Sequence, residues 1–210
     1  MRGVDYSSNT MIKNIVFDLG GVLVDWDPKY LYRKILPVEE EVEKFLAEVC
    51  THEWNVEQDA GRLIEDAEKD LINRFPDQET LIKAYYGRWE ESLKGPISGT
   101  VEILSQLKKK SYPLYALSNW SAETYPIAQK HYDFLGWFDG EVISGRVKMV
   151  KPNPEIYLYL LEHFQLNPQE TFFIDDRADN VKQAEKLGIH GFCFTEPDKL
   201  HLKLQKLGIL

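Results

Sequence analysis

The chain alternates short apolar runs with longer stretches of helical period. Residues 12–18 (IKNIVFD) place three apolar β-formers in a row, Ile15, Val16 and Phe17, then stop at the carboxylate of Asp18, followed by Gly20 and Gly21. This pattern predicts a strand that ends in a polar turn. Residues 112–119 (YPLYALSN) repeat it and end in Ser118 and Asn119. Residues 171–176 (TFFIDD) end in the paired carboxylates Asp175 and Asp176, and residues 191–194 (GFCF) read as a short fourth strand. Amphipathic periods over 99–110, 154–164 and 180–187 predict helices around these strands.

Strands that alternate with helices predict an α/β fold: a Rossmann-like parallel sheet built from βαβ units, with helices on both faces. Strands covered on both faces read as continuous apolar runs, as these do. Residues 27–95 differ. They show no convincing strand, and helical periods at 29–35, 39–50, 63–75 and 79–93 carry interleaved aromatics such as Trp54, Tyr85, Tyr86 and Trp89. Aromatics at helical spacing are mostly core. The expected organisation is therefore an α/β core from 10–26 and 96–210, with an α-helical bundle, 27–95, inserted as a cap. Residues 1–9 are polar and aperiodic and read as a loose leader; no signal peptide, internal repeat or low-complexity tract is expected.

Composition narrows the function classes. The 210 residues include 25 Lys and Arg against 34 Asp and Glu, a formal net charge of −9. That balance disfavours nucleic acid and anionic membrane as partners, because both are polyanions. No stretch approaches the roughly 20 apolar residues that span a bilayer, and the expected location is cytoplasmic. Cys50 and Cys193 are the only cysteines, which excludes a disulfide scaffold and a four-cysteine zinc site. The five histidines show no metal-ligand spacing. Nothing in the composition sets the oligomeric state.

In an open parallel sheet the site lies beyond the carboxyl ends of the strands, where polar groups converge here. Asp18 can project into a cleft beside glycine N–H groups that suit an anion. Ser118 and Asn119 offer a hydroxyl and an amide to phosphate oxygens. Lys151, in VKPNPEIY, precedes a proline-marked helix start and can neutralise a carboxylate and a phosphoryl group. Asp18, Asp175 and Asp176 would repel one another without a cation, and three hard oxygen donors suit Mg²⁺ better than zinc.

The order Asp18-Leu-Gly-Gly-Val-Leu, Leu117-Ser118-Asn119, Lys151-Pro-Asn-Pro-Glu-Ile-Tyr, then Phe173-Ile-Asp175-Asp176 with Asn180 resembles the haloacid dehalogenase-like (HAD) hydrolase superfamily. The resemblance covers residues 12–195. It is strongest to the branch of small-molecule phosphatases with a helical cap inserted after the first motif, which includes bacterial sugar-phosphate phosphatases and the phosphatase domain of epoxide hydrolases. It implies that Asp18 is a nucleophile forming an aspartyl-phosphate and also a Mg²⁺ ligand, with Gly20 offering its backbone carbonyl. It implies that Asp176 ligates the metal directly and that Asp175 ligates through water or orients that shell. Ser118, Asn119 and Lys151 would bind the phosphoryl group, Lys151 bridging it to Asp18. The substrate would be a small phosphorylated metabolite.

One departure stands out. Most of the superfamily's phosphatases carry a second Asp two residues after the nucleophile, as general acid and base; here that position is Gly20, and some members of the sugar-phosphate branch share the Asp-Leu-Gly pattern. A proton-transfer group is typically worth about 10²–10⁴-fold in rate. Asp25 and Asp27 stand near in sequence, although Asp25 also reads as shaping the turn into the cap. Arg177 and Asn180 are candidates for a site role, with loop support as the competing reading, and His52, Trp54 and Arg62 are candidates for substrate contact from the cap. Competing readings are a non-catalytic phosphometabolite-binding or regulatory protein, a metal-independent 2-haloacid dehalogenase and a phosphomutase.

Overall fold

The computed structural model describes residues 11–210, so the leader expected at 1–9 lies outside the described residues. The chain enters on β1 (Asn14–Phe17), turns through Gly20 and Gly21 into β2 (Val24–Trp26), and passes through five helices: α1 (Pro28–Ile35), α2 (Glu39–Glu48), α3 (His52–Asp59), α4 (Ile64–Arg74) and α5 (Glu79–Gly87). A short turn of 3₁₀ helix (Trp89–Ser92) leads into β3 (Leu93–Pro96), which pairs antiparallel with β2. The remaining elements are α6 (Ser98–Lys109), β4 (Leu114–Ser118), α7 (Tyr125–His131), β5 (Gly140–Ile143), α8 (Ser144–Val147), α9 (Pro154–His163), β6 (Thr171–Asp175), α10 (Ala178–Lys186), β7 (His190–Cys193) and α11 (Pro197–Lys206).

Five strands form one parallel sheet in the order β5-β4-β1-β6-β7. Side chains alternate between its faces, and each face has its own apolar cluster. Ile15, Phe17, Phe172 and Ile174 pack with Ile103, Leu104 and Leu107 of α6 and Leu200 and Leu204 of α11. Val16, Leu117 and Phe173 point the other way, onto Ile156, Tyr157 and Leu160 of α9 and Ala184 of α10. This double cover explains why the strands lack polar alternation. The fold is α/β and Rossmann-like. Central β1 lies between β4 and β6, so the chain order reverses there, and a crevice opens beyond the carboxyl ends of these three strands.

Helices α1–α5 bury a separate cluster that includes Leu31, Tyr32, Val42, Phe45, Trp54, Leu71, Ile82 and Tyr85. Local signals start two of them. Asp27 accepts from Lys29 N at 2.8 Å ahead of Pro28 in α1, and Thr51 accepts from Trp54 N at 3.1 Å in α3.

Several expectations need correction. The helix expected over 79–93 stops at Gly87, and Leu93–Pro96 is extended although no strand was expected within residues 27–95. Its residues, LKGP, include Gly95 at φ +142° and a proline, so neither propensity nor alternation marks them as a strand. Strand β5 (GEVI) is equally quiet: a four-residue edge strand, half-buried at its first two positions. Helices α3, α7, α8 and α11 were also unanticipated.

Candidate active site

The site is built from the residues that follow β1, β4 and β6. Asp18 extends the β1 ladder by one step, its N–H donating to Ile174 O at 2.8 Å, and its Oδ1 accepts from Leu19 N at 2.8 Å. It is 6% exposed. Lys151 arrives on the loop between α8 and α9, through a cis peptide bond to Pro152, and is 4% exposed. Its Nζ stands 3.0 Å from Asp18 Oδ1 and 2.6 Å from Asp175 Oδ2, and donates to Leu117 O at 2.9 Å. The ammonium therefore has three fixed acceptors and little rotational freedom.

Its neighbours hold this geometry. Asn119 Nδ2 donates to Lys151 O at 2.9 Å, while Asn119 Oδ1 accepts from Lys151 N at 2.8 Å. Both ends of the amide clamp the lysine main chain, a positioning job that the sequence reading did not foresee. Asp175 is fully buried; beyond Lys151, it accepts from Arg177 N at 2.8 Å and from Asn180 Nδ2 at 3.0 and 3.1 Å. Asn180 and the Arg177 main chain thus support the loop. Ser118 is the last residue of β4 and is 1% exposed.

Asp18, Asp175 and Asp176 each present an oxygen within 4.8 Å of the others. Three carboxylates against one ammonium leave two uncompensated negative charges. Burial pushes the Asp18 carboxyl up to about 8, and the Asp175 and Asp176 charges add to this, against the pull of Lys151. Asp176 is raised by burial and then by Asp175. Burial pulls the Lys151 ammonium down, yet Asp18 and Asp175 outweigh it and hold the group above its ordinary value. Gly21, at φ +74°, backs onto Asp176, and a Cβ there would collide with the carboxylate. Hard oxygens, surplus negative charge and a glycine shaped around one ligand fit a divalent cation such as Mg²⁺.

A cavity of ≈ 60 Å³ lies between the helices and the sheet, lined by Gly20, Asn119 and Ser121 from the core and by Asn55, Asp59 and Tyr86 from the helices. Trp26, Trp89 and Trp120 give it aromatic walls. Nothing lies within 4 Å of where a Gly20 Cβ would stand. The helices dock around this space: Ser144 Oγ donates to Asp59 O at 2.5 Å, Ile64 N donates to Glu123 Oε1 at 2.9 Å, and Arg177 meets His52 at 3.2 Å.

The remaining candidates lie elsewhere. Asp25 accepts from Tyr30 OH at 2.9 Å and Asp27 caps α1, so both carboxylates have partners, and neither lines the cavity. Trp54 packs inside the helical cluster, and Arg62 pairs with Glu57 and Asp70. None of His52, Trp54 and Arg62 lines the cavity. Asp59 was missed, because nothing in sequence distinguishes it among 34 acidic residues. No helix among the described residues is long and apolar enough to cross a membrane.

A two-faced parallel sheet with an acidic cluster and a buried lysine at the ends of its central strands defines a class of α/β hydrolytic fold. Residues 12–188 match the haloacid dehalogenase-like hydrolases, and the chain belongs to that family. A D-ribitol-5-phosphate phosphatase from Bacteroides thetaiotaomicron is 26% identical over 200 residues, covering 87% of this chain and 91% of its own. A chloroplast flavin mononucleotide hydrolase from Arabidopsis thaliana is 34% identical over 116 residues, covering 54% of this chain and 46% of its own length, about half. Among solved structures, a HAD-family enzyme from Bacteroides thetaiotaomicron in complex with magnesium and inorganic phosphate superposes with a TM-score of 0.68 at 28% identity, over 88% of this chain and 94% of that one.

Proposed function

We propose that the protein is a Mg²⁺-dependent phosphatase that hydrolyses a small phosphorylated metabolite, such as a sugar phosphate, through an aspartyl-phosphate on Asp18. The observation that carries this reading is the Asp18–Lys151 contact of 3.0 Å beside two further carboxylates at the strand ends. Asp18 is the nucleophile and takes the phosphoryl group, and water then releases it, so that one difficult displacement becomes two easier ones. Lys151, held by Asn119, Leu117 O and Asp175, keeps a positive charge beside the transferring oxygens. Ser118, with Asn119 next to it, lines the phosphoryl position. Asp18, Asp176 and the Gly20 carbonyl would hold the cation, with Asp175 orienting that shell and Lys151 together. When bound, the cation offsets charge on the phosphoryl oxygens.

Residues 27–95 act as a cap over this centre. At ≈ 60 Å³ the cavity holds only a few waters, and movement of the cap would admit substrate while its return excludes bulk water. The family membership and the activities of the relatives above support phosphomonoester chemistry.

Release of phosphate from para-nitrophenyl phosphate and from a panel including ribitol 5-phosphate tests the reading. Turnover should need Mg²⁺, vanish on chelation and be absent in Asp18→Asn. Phosphate binding without turnover would instead support a regulatory binding protein. Metal-independent release of halide from a 2-haloacid would make it a dehalogenase.

A further inference from the structure

A phosphate ester of an alcohol leaves as a strongly basic alkoxide, so its departure needs a proton at the leaving oxygen. Gly20 brings none, and Asp25 and Asp27 are engaged elsewhere. The cavity that Gly20 opens into has a single carboxylate among its described lining residues, Asp59 at the end of α3.

Asp59 is held in place from both sides. Tyr86 OH donates to Asn55 Oδ1 at 3.0 Å, which orients that amide, and Asn55 Nδ2 donates to Asp59 Oδ2 at 3.2 Å. Its main-chain carbonyl is pinned to the core by Ser144 Oγ. A second feature stands at the same space: Trp26 lines the cavity, and its buried Nε1 finds no hydrogen-bond partner among the described residues. Aromatic walls, a free indole donor and one carboxyl together suit a polyhydroxylated leaving group.

We propose that Asp59, delivered by the cap, is the proton-transfer residue of this reaction and occupies functionally the place that Gly20 leaves empty. The proposal rests on the phosphatase reading above. In the first step an Asp18 oxygen bonds to phosphorus, the ester P–O bond breaks, and the Asp59 proton passes to the departing oxygen to give the free alcohol. In the second, water adds to phosphorus, its proton goes to the Asp59 carboxylate, and the bond from phosphorus to Asp18 breaks. Phosphate leaves, and both residues return to their starting states.

The surroundings suit a group that must both give and take a proton near neutrality. Burial pushes the Asp59 carboxyl up to about 7, with a Ser121 backbone hydrogen bond holding it back from a larger rise. No other charged side chain lines the cavity among the described residues. The titratable neighbours from α5 are Tyr85 and Tyr86, both kept neutral by burial.

The test compares the wild type with Asp59→Asn on two esters in the presence of Mg²⁺. Ribitol 5-phosphate has a poor leaving group and para-nitrophenyl phosphate a good one that needs little acid assistance. For Asp59→Asn, kcat/KM on the alkyl ester should fall by about 100-fold or more, the scale of a lost general acid. The loss on the aryl ester should be at least ten times smaller. The wild-type kcat/KM for the alkyl ester should decline as pH rises through about 7, and this limb should vanish in the variant. Equal losses on both esters, or no loss on either, overturn the proposal; aryl turnover also reports that the variant has folded. A wild type inactive on both esters overturns the phosphatase reading itself, and the Asp59 assignment with it.

Discussion

Lys151 lies between two carboxylates with only 1% of its side chain exposed, so removing its charge leaves Asp18 and Asp175 facing each other without compensation. Lys151→Met should abolish turnover and cost about 3–5 kcal/mol, the usual penalty for breaking a buried pair, read as the shift in urea midpoint. Added Mg²⁺ should recover part of that loss. Gly21→Ala acts on the ligand side: φ +74° and the collision with Asp176 together should cost about 1–3 kcal/mol and weaken Mg²⁺ binding in calorimetry. A pH effect follows from Asp18 and Asp59, whose carboxyls are raised by burial to about 8 and about 7 in the fold. The folded protein keeps protons that the unfolded chain has released above about pH 4, so these groups stabilise at low pH and that contribution is lost as pH rises toward 8. The Tm of the chelated protein should therefore fall between about pH 5 and pH 8, and Asp59→Asn should raise it most at the upper end. Asp18, Asp175 and Asp176 were legible in sequence because each ends an apolar run where a carboxylate has no packing role. Asp59 was not, since its environment is assembled from α3, α5 and the loop after β4.

At the scale of elements, α3 begins at the Thr51 cap, carries Asn55 in its middle and ends on Asp59. Thr51→Ala removes the acceptor for Trp54 N and should cost about 0.5–2 kcal/mol. A looser α3 also carries Asp59 further from Gly20, so turnover of alkyl phosphates should drop more than turnover of aryl phosphates in the same preparation. The core strands were readable because burial on both faces makes them continuously apolar. The ribbon of β2 and β3, the edge strand β5 and the end of α5 were not. The three strands are short segments whose conformation is set by a partner distant in sequence rather than by their own side chains, as in the pairing of Asp25 with Gly95.

For the whole molecule, the overall charge of −9 and an anionic substrate are compatible. Three of the acidic residues converge on one site, where Lys151 and a bound divalent cation would reverse the local sign while the surface stays acidic. Among the described residues, the polar ties that join α3 and α4 to the sheet side of the site are Ser144 to Asp59, Glu123 to Ile64 and Arg177 to His52. Hydrogen exchange should accordingly be faster in α3 than in β1, β4 and β6, and Mg²⁺ with inorganic phosphate should slow it in α3 and in the loop after β4. Unchanged α3 exchange on adding both would argue against closure of the cap on phosphate.

The paired strands β2 and β3 carry the chain out to the helices and back within one ribbon, so the two ends of the insertion sit side by side. Such a graft point lets one cap be exchanged for another without disturbing the sheet, and substrate preference can be inherited as a module. In this protein the module would also carry a reacting group. A chimera bearing a foreign cap should still form the phosphoenzyme from an activated aryl ester, yet be unable to release an ordinary alcohol until an acid is restored opposite Gly20. Recombination between relatives would thus be filtered by proton delivery as well as by fit.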